Sequence, residues 1–200
     1  MIKNAVFDLG NVLLSFDPMK HAGKVGIPED KREDLIRAVI WSKEWSDYDR
    51  GVILNKKELL EKEAALHPEL APEIGLFLAD WEEMLTEIEG SADLVRKLKG
   101  EGYRVFLLSN LSYDGKNYAI RCPFMREFEG VVFSCDEHKN KPEAELFRLL
   151  LDRYGLKAGE TVFFDDHLPN IEGANAVGIH AVLFRNAKDA ETEFRRLADG

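Results

Sequence analysis

The sequence predicts an α/β fold with a doubly wound, mostly parallel sheet. Five short apolar runs have the composition of strands buried on both faces, and turn or capping residues bound each of them. Helical segments alternate with these runs in the second half of the chain, as in successive β-α-β units of a Rossmann-like sheet. The runs are NAVFD (4–8), YRVFLLS (103–109), GVVFS (130–134), TVFFD (161–165) and IHAVLF (179–184).

Capping residues support the helices between these strands. Ser91 is a suitable N-cap for a helix that ends near Gly100. Pro142 occupies a favourable first helical position, and that helix ends at Gly155. A further short helix is closed by Gly178. Each predicted helix therefore joins two predicted strands.

Residues 16–89 interrupt this alternation, because they contain helical patterns and no convincing strand. Asn55 with Glu58 three residues later has the spacing of a capping box at a helix start. We therefore expect an all-helical cap domain over 16–89, inserted into a core domain made of 1–15 and 90–200.

The composition is that of a globular protein, with 45% hydrophobic and 32% charged residues among 200. A net charge of −10 without a basic stripe argues against a nucleic-acid partner. The chain lacks an apolar run of the roughly 18 residues that a membrane span needs. Asp8 interrupts the first apolar run, which excludes a signal peptide there. We expect a cytoplasmic protein with no membrane partner; the oligomeric state is open.

Polar motifs follow four of the predicted strands. Because ligands bind outside the carboxyl ends of parallel strands, these motifs should converge on one crevice. They are Asp8–Leu9–Gly10–Asn11, Ser109–Asn110, Lys141 within HKNKPE, and Asp165–Asp166.

Taken singly, most of these residues have ordinary structural explanations, such as helix caps or solvated loops. Asp8 and the pair Asp165–Asp166 are harder to explain, because each follows a buried strand. Adjacent carboxylates need a cation, or one of them must remain protonated. A cluster of hard oxygen ligands suits Mg²⁺.

The motifs together resemble those of the haloacid dehalogenase superfamily, in the order FDLGNV, LLSN, KPE and FFDD. The helical insert resembles that superfamily's C1-type cap. FDLGNV with FFDDHLPNIEGA is most similar to the subgroup that includes bacterial glucose-1-phosphate phosphatase, and more distantly to the phosphatase domain of epoxide hydrolases. The resemblance implies a Mg²⁺-dependent phosphatase that hydrolyses a small phosphorylated metabolite through an aspartyl-phosphate.

The resemblance also implies roles for the acidic residues. Asp8 would attack phosphorus as the nucleophile. Mg²⁺ would be held by Asp8, the backbone carbonyl of Gly10 and Asp166. Asp165 would lie next to these metal ligands and orient a metal-bound water or Lys141.

Phosphate binding is implied for the second and third motifs. Ser109, with Asn110 and the backbone after it, would donate hydrogen bonds to phosphate oxygens. Lys141 would neutralise the developing charge and keep the nucleophile ionised. Asn170 stands where many relatives carry an acid, so we expect it only to stabilise its loop.

The cap should determine specificity. Arg50, in the turn WSDYDRG, would contact a phosphate or sugar hydroxyls, although an ordinary surface turn explains it equally well. Trp41 and Trp45 are expected in the core of the cap rather than as a platform for a sugar.

Gly10 marks a departure from most phosphatases of the superfamily, which carry an acid/base aspartate at this position. General acid–base help is typically worth about 10²–10⁴-fold in rate. The glycine therefore has three possible consequences. The substrate has a leaving group that needs little protonation, the cap supplies a proton carrier, or the enzyme is slow. The subgroup resemblance favours the first outcome and hence a sugar phosphate. The candidate carriers by position are Asp17, His21, Asp47 and Asp49.

Two other functions remain open at this point. A dehalogenase would use the same aspartate without metal, but usually carries an aromatic residue two positions after the nucleophile and uncharged groups in place of Asp165–Asp166. A non-catalytic phosphate-ligand binding protein on the same scaffold would retain the site without turnover.

Overall fold

The computed structural model describes residues 1–200 and contains one five-stranded sheet. Its strands are β1 (Asn4–Phe7), β2 (Arg104–Ser109), β3 (Gly130–Phe133), β4 (Thr161–Asp165) and β5 (His180–Leu183). They lie in the order β3-β2-β1-β4-β5, and every neighbouring pair is parallel. The predicted doubly wound α/β fold is therefore confirmed.

Burial differs between the centre and one edge of the sheet. Every residue of β1 and β4 is buried, as expected for strands covered on both faces. Strand β5, at one edge of the sheet, has no buried residue in its span, whereas three of the four residues of β3, at the other edge, are buried. The expectation that this apolar run is buried on both faces is therefore wrong for β5.

The helices alternate with the strands after β2, and six helices lie between β1 and β2. None of them combines the length and apolar character needed to cross a membrane. They are α1 (Pro18–Lys24), α2 (Glu29–Val39), α3 (Lys43–Asp49), α4 (Lys56–Leu66), α5 (Ala71–Ala79), α6 (Ser91–Gly100), α7 (Tyr113–Ala119), α8 (Ser134–Glu137), α9 (Ala144–Tyr154), α10 (Leu168–Ala176) and α11 (Ala187–Asp199).

Helices α1 to α5 form an insert between β1 and α6 that contributes no strand to the sheet. The predicted cap at Asn55 is present, since its side chain accepts a hydrogen bond from the Glu58 N–H at 3.0 Å. The Glu58 side chain in turn accepts from the Leu54 N–H at 3.1 Å. These local contacts explain why α4 begins where the sequence indicates.

The two chain segments that join the insert to the sheet run side by side. The Ser15 N–H donates to the Thr86 carbonyl at 2.7 Å, and the Ile88 N–H donates to the Leu13 carbonyl at 2.9 Å. This pairing lies close to the predicted domain boundaries. The division into 1–15 with 90–200 and 16–89 stays a prediction, because one hydrophobic cluster includes both insert residues and residues of the sheet.

The register of the sheet brings the polar motifs to one edge. Phe7, the last residue of β1, is aligned with Leu107 on one side and with Phe164 on the other. Asp8 therefore leaves β1 between the carboxyl ends of β2 and β4, which are Ser109 and Asp165. Residues far apart in sequence meet there because all the strands point the same way.

Gly51 packs closely against helix α8, and we predict that Gly51→Ala destabilises the fold. Its φ is +72°, and an added Cβ would lie 2.5 Å from the Cys135 carbonyl oxygen. Overpacking of this kind costs about 1–3 kcal/mol beyond the backbone strain. Gly26→Ala is the matched control, because Gly26 has a φ of +84° and open space around its Cα. Urea unfolding should show the larger loss for Gly51→Ala; equal losses would contradict the packing argument.

Candidate active site

Three carboxylates meet at the carboxyl edge of the sheet. Asp8 follows β1, Asp165 ends β4, and Asp166 comes next in the chain. One carboxylate oxygen from each lies within 4.8 Å of the others. The order of the motifs predicted this convergence, and the parallel register explains it.

Lys141 is buried between two of these acids. Its Nζ lies 2.8 Å from Asp8 Oδ1 and 2.6 Å from Asp165 Oδ2, and its side chain is 1% exposed. Burial by itself lowers the pKa of Lys141, but the charges of Asp165 and Asp8 outweigh it and raise the pKa above its ordinary value. Lys141 is therefore a permanent cation at this site.

Asp8 is held in a defined orientation. The Leu9 N–H donates to Asp8 Oδ1 at 2.7 Å, beside the contact with Lys141. Burial raises the pKa of Asp8 to about 7, and the charge of Lys141 opposes that rise. A second cation next to Asp8 would favour the ionised form that nucleophilic attack requires.

Asp165 has its acceptor capacity filled by the protein. One oxygen accepts from the His167 N–H at 2.8 Å, the other accepts from Lys141, and the Asn170 amide donates to both at 3.0 Å. Asp165 therefore orients Lys141. Asn170 does stabilise this loop, as expected, and it does so by holding the buried carboxylate.

The remaining donors fit a hard divalent cation. Asp8 and Asp166 supply carboxylate oxygens, and Gly10, which lines the same cavity, supplies a backbone carbonyl. The side-chain oxygen of Asn170 is buried beside them without a hydrogen-bond partner. Such an oxygen suits a water molecule bound to the cation. Asp8, Gly10 and Asp166 could hold Mg²⁺.

Comparison with known proteins identifies the family. The model of a hydrolase family, described as haloacid dehalogenase-like hydrolase, matches residues 2–178. The chain belongs to the haloacid dehalogenase-like hydrolases. The resemblance to this superfamily is confirmed, whereas the glucose-1-phosphate phosphatase subgroup stays a prediction.

Two curated relatives span nearly the whole of this hydrolase. The sesquiterpene phosphatase astK of Aspergillus oryzae is 26% identical, over 98% of this chain and 96% of the relative. The ribulose-1,5-bisphosphate 5-phosphatase of Halopiger xanaduensis is 24% identical, over 96% of this chain and 88% of the relative. Both relatives are phosphatases by name.

A solved structure shares the fold of the hydrolase. The HAD family enzyme bt-2542 of Bacteroides thetaiotaomicron superposes with a TM-score of 0.75 at 24% identity, over 97% of this chain and 98% of that one. The same enzyme has been crystallised with magnesium and inorganic phosphate, and that structure superposes with a TM-score of 0.72 at 24% identity, covering 92% and 95% of the two chains.

The structure gives the two residues of the second motif, Ser109 and Asn110, different surroundings, although both were expected to bind phosphate. Ser109 is buried and lines the cavity next to Asp8, as a phosphate ligand would. Asn110 also lines the cavity, but its amide is paired with the Lys141 backbone. Its Nδ2 donates to the Lys141 carbonyl at 3.0 Å, and its Oδ1 accepts from the Lys141 N–H at 2.7 Å. Asn110 therefore positions Lys141.

The cavity above these groups has a volume of about 280 Å³. Trp45 is 7% exposed and belongs to the hydrophobic core, as predicted. Trp41 is 72% exposed, so the expectation that it lies in the core of the insert is wrong. The insert contributes to the cavity wall through Phe16, Ile40, Trp41, Trp45, Asp49, Trp81 and Leu85.

Arg50 is not brought to the cavity. Its guanidinium forms two hydrogen bonds with the carboxylate of Glu143, one of them at 3.1 Å, and it also contacts the His138 carbonyl. The Glu143 hydrogen bond raises the pKa of Arg50, and the same bond lowers the pKa of Glu143. Arg50 thus joins the insert to the loop that carries Lys141, a role that no sequence pattern signalled.

Only one of the four candidate proton carriers reaches the cavity. Asp17 caps α1 by accepting from the Lys20 N–H, and Asp47 pairs with Lys43 on the surface. His21 is buried against the Phe77 carbonyl at 2.9 Å. Asp49 lines the cavity.

A further contact within the site was not expected from sequence. The Asn11 amide donates to Asp166 Oδ2 at 3.0 Å and its Oδ1 accepts from the Phe16 N–H at 2.9 Å. Asn11 therefore links the first motif, the fourth motif and the start of the insert. Its φ of +52°, a conformation that asparagine tolerates better than most residues, is the one local signal for it.

We predict that Lys141→Met destabilises the protein by about 3–5 kcal/mol, because it leaves Asp8 and Asp165 buried without their cation. Lys139→Met is the control two residues away, since the Lys139 Nζ makes one long contact of 3.5 Å with a carbonyl. Urea unfolding should show a change within about 0.5 kcal/mol for the control. Similar stabilities of the two variants would show that the buried ion pairs are dispensable.

Proposed function

We propose that this hydrolase cleaves phosphate monoesters of a small molecule through an aspartyl-phosphate on Asp8. The observation that carries the proposal is the cluster of Asp8, Asp165 and Asp166 with the buried Lys141 beneath one cavity. An acid that must attack phosphorus needs to be ionised, fixed in orientation and close to a permanent cation. Asp8 is fixed in orientation by the Leu9 N–H and lies against Lys141, and Mg²⁺ bound beside it would favour its ionised form.

In the proposed reaction, an Asp8 oxygen bonds to phosphorus while the bond from phosphorus to the ester oxygen breaks. Water then attacks the same phosphorus, the bond to Asp8 breaks, and inorganic phosphate leaves. Lys141 and the Ser109 hydroxyl would oppose the negative charge on the phosphoryl oxygens. Mg²⁺ held by Asp8, Gly10 and Asp166 would supply Lewis-acid stabilisation of that charge.

Several observations favour this function over the two alternatives. A metal-free dehalogenase has no use for the second carboxylate of Asp165–Asp166, and Gly10 lacks the aromatic ring expected there. A phosphate-binding protein without turnover has no use for a nucleophile oriented by the Leu9 N–H. The names of the two phosphatase relatives and the magnesium and phosphate bound to bt-2542 support the same choice.

Two substrate classes remain as proposals. The resemblance to glucose-1-phosphate phosphatases supports a sugar phosphate, whose anomeric leaving group needs little protonation. The walls of the cavity support the phosphate of an apolar alcohol instead, because among the insert residues that line the cavity only Asp49 is charged. Hydroxyl groups of a sugar need hydrogen-bond partners when they are buried. The relative named as a sesquiterpene phosphatase adds support to the apolar class.

We expect Asp8→Asn to abolish turnover of 4-nitrophenyl phosphate, because an amide cannot act as the nucleophile. A chelator should abolish the activity of the unaltered protein, and added Mg²⁺ should restore it. Asp93→Asn, at an exposed position on α6, serves as the matched control. Initial rates of nitrophenol release measure the activity of both variants and of the unaltered protein with chelator and with added Mg²⁺. Activity that survives in Asp8→Asn would refute the proposed function, and activity that survives the chelator would favour metal-free chemistry.

A comparison of kcat/KM for glucose-1-phosphate and for farnesyl phosphate separates the two substrate classes. With apolar walls, we expect a preference for farnesyl phosphate of about tenfold or more, which corresponds to about 1.4 kcal/mol. Release of inorganic phosphate measures both reactions. A preference for glucose-1-phosphate would instead support the sugar-phosphate proposal.

A further inference from the structure

The proposed reaction requires a proton carrier, and the usual position for one holds no acid. An alkoxide leaves with difficulty unless it receives a proton, and the water that follows must lose one. Gly10 has only a backbone carbonyl to offer, and a Cβ added there would have no atom within 4 Å. For an alkyl leaving group, and for the water of the second step, the proton carrier must therefore come from another part of the cavity wall.

We propose that Asp49 is the proton carrier: it protonates the leaving oxygen and then activates the water that hydrolyses the aspartyl-phosphate. This inference rests on the proposed function. It assigns a catalytic role to the last residue of α3, on the insert, at the wall of the cavity that faces Asp8 and Lys141.

The position of Asp49 is set by the core of the protein. The Ser134 hydroxyl donates to the Asp49 carbonyl at 2.5 Å. The backbone of Ser112 and the indole of Trp45 lie close enough to the Asp49 carboxylate to oppose the rise of its pKa on burial. Ser112 lies three residues after Ser109, the end of β2, and Asp49 lines the same cavity as Ser109 and Asn110, which are proposed to bind phosphate.

The direction of the reaction places the need for a proton on the insert side. A phosphoryl group is displaced in line, so the leaving oxygen lies opposite the attacking oxygen. Asp8 attacks from the sheet, and the leaving group therefore points towards the wall that the insert builds. Asp49 is the only insert residue of that wall that can carry a proton at neutral pH.

The electrostatic surroundings suit both halves of the role. Burial raises the pKa of Asp49 to about 7, while the Ser112 backbone, the charge of Lys141 and the Trp45 indole oppose the rise. A group with a pKa near the working pH donates and accepts a proton with comparable ease. The other titratable groups near Asp49 are the buried Cys135 thiol and, around the same cavity, Asp8, Lys141, Asp166 and His167.

The two steps balance. As Asp8 bonds to phosphorus, the ester oxygen takes both electrons of the breaking bond and the proton of Asp49, and a neutral alcohol leaves. The Asp49 carboxylate then removes a proton from water as the water oxygen bonds to phosphorus and the Asp8–phosphorus bond breaks. Inorganic phosphate leaves, and Asp49 is protonated again for the next cycle.

The test compares Asp49→Asn with Asp47→Asn, an aspartate on the same helix whose carboxylate pairs with Lys43 on the surface. With an alkyl phosphate as substrate, kcat should fall about 10²–10⁴-fold in Asp49→Asn and stay unchanged in the control. With 4-nitrophenyl phosphate, whose leaving group needs no proton, Asp49→Asn should keep a burst of nitrophenol and then accumulate phosphorylated Asp8, which intact-protein mass spectrometry detects.

A second variant separates proton transfer from a merely structural role. Asp49→Asn combined with Gly10→Asp returns an acid to the position that has room for it, and it should recover a large part of the lost rate on the alkyl phosphate. The alkaline limb of kcat/KM, expected near pH 7, should be absent in Asp49→Asn and present at a shifted pH in Asp49→Glu. If Asp49→Asn does not fold, the shifted pH dependence of kcat/KM in Asp49→Glu tests the proton-transfer role instead.

Three results would overturn the inference: unchanged turnover of the alkyl phosphate in Asp49→Asn, loss of the burst with 4-nitrophenyl phosphate, or loss of the alkaline limb in His167→Gln instead. Asp8→Asn, measured in parallel, distinguishes these from failure of the proposed function. If Asp8→Asn retains turnover, the phosphatase mechanism fails as a whole. If Asp8→Asn is inactive and Asp49→Asn behaves like Asp47→Asn, only the assignment of Asp49 fails.

Discussion

The contact of Lys141 with Asp8 and Asp165 is the interaction on which the rest of the site depends. A buried carboxylate is unstable as an anion unless a cation and hydrogen bonds replace the water that it has lost. Lys141 provides that cation to two carboxylates at once, with Nζ–oxygen distances of 2.8 and 2.6 Å. Asn110 holds the backbone of Lys141, and Asn170 holds Asp165, so hydrogen bonds fix both the lysine and one of its acidic partners.

The protein divides its chemistry between two parts of the chain. In the proposed mechanism, the carboxyl edge of the sheet supplies the groups that act on phosphorus, because the parallel strands bring them to one place. The insert supplies the wall that meets the leaving group, and it is largely aromatic and apolar. Gly10 lacks the acid on the sheet side, so the proposed mechanism assigns proton transfer to Asp49 on the insert.

Local sequence patterns predicted the elements well where neighbouring residues decide the structure. The cap at Asn55, the five strands and the order of the motifs follow from side chains within a few residues of each other. Predictions were less successful where a residue's neighbours come from elsewhere. Trp41 was assigned to a core that it does not enter, and β5 was expected to be buried but has no buried residue in its span. Asn110 forms a hydrogen bond with a residue 31 positions away, and Arg50 forms one with a residue 93 positions away. The spacing of residues along the sequence does not predict such contacts.

By itself, the sequence determined the α/β class, the place of the helical insert and the convergence of Asp8, Lys141 and Asp165–Asp166, because strand direction and motif order already imply that meeting point. The tertiary structure alone decided which insert residue faces the nucleophile. Asp17, His21, Asp47 and Asp49 were equivalent in sequence, and only the packing of α3 against Ser112 and Ser134 brings Asp49 to the cavity. The physical reason is that the orientation of the insert depends on contacts between segments distant in sequence. Such contacts leave no pattern among neighbouring residues from which the orientation could be predicted.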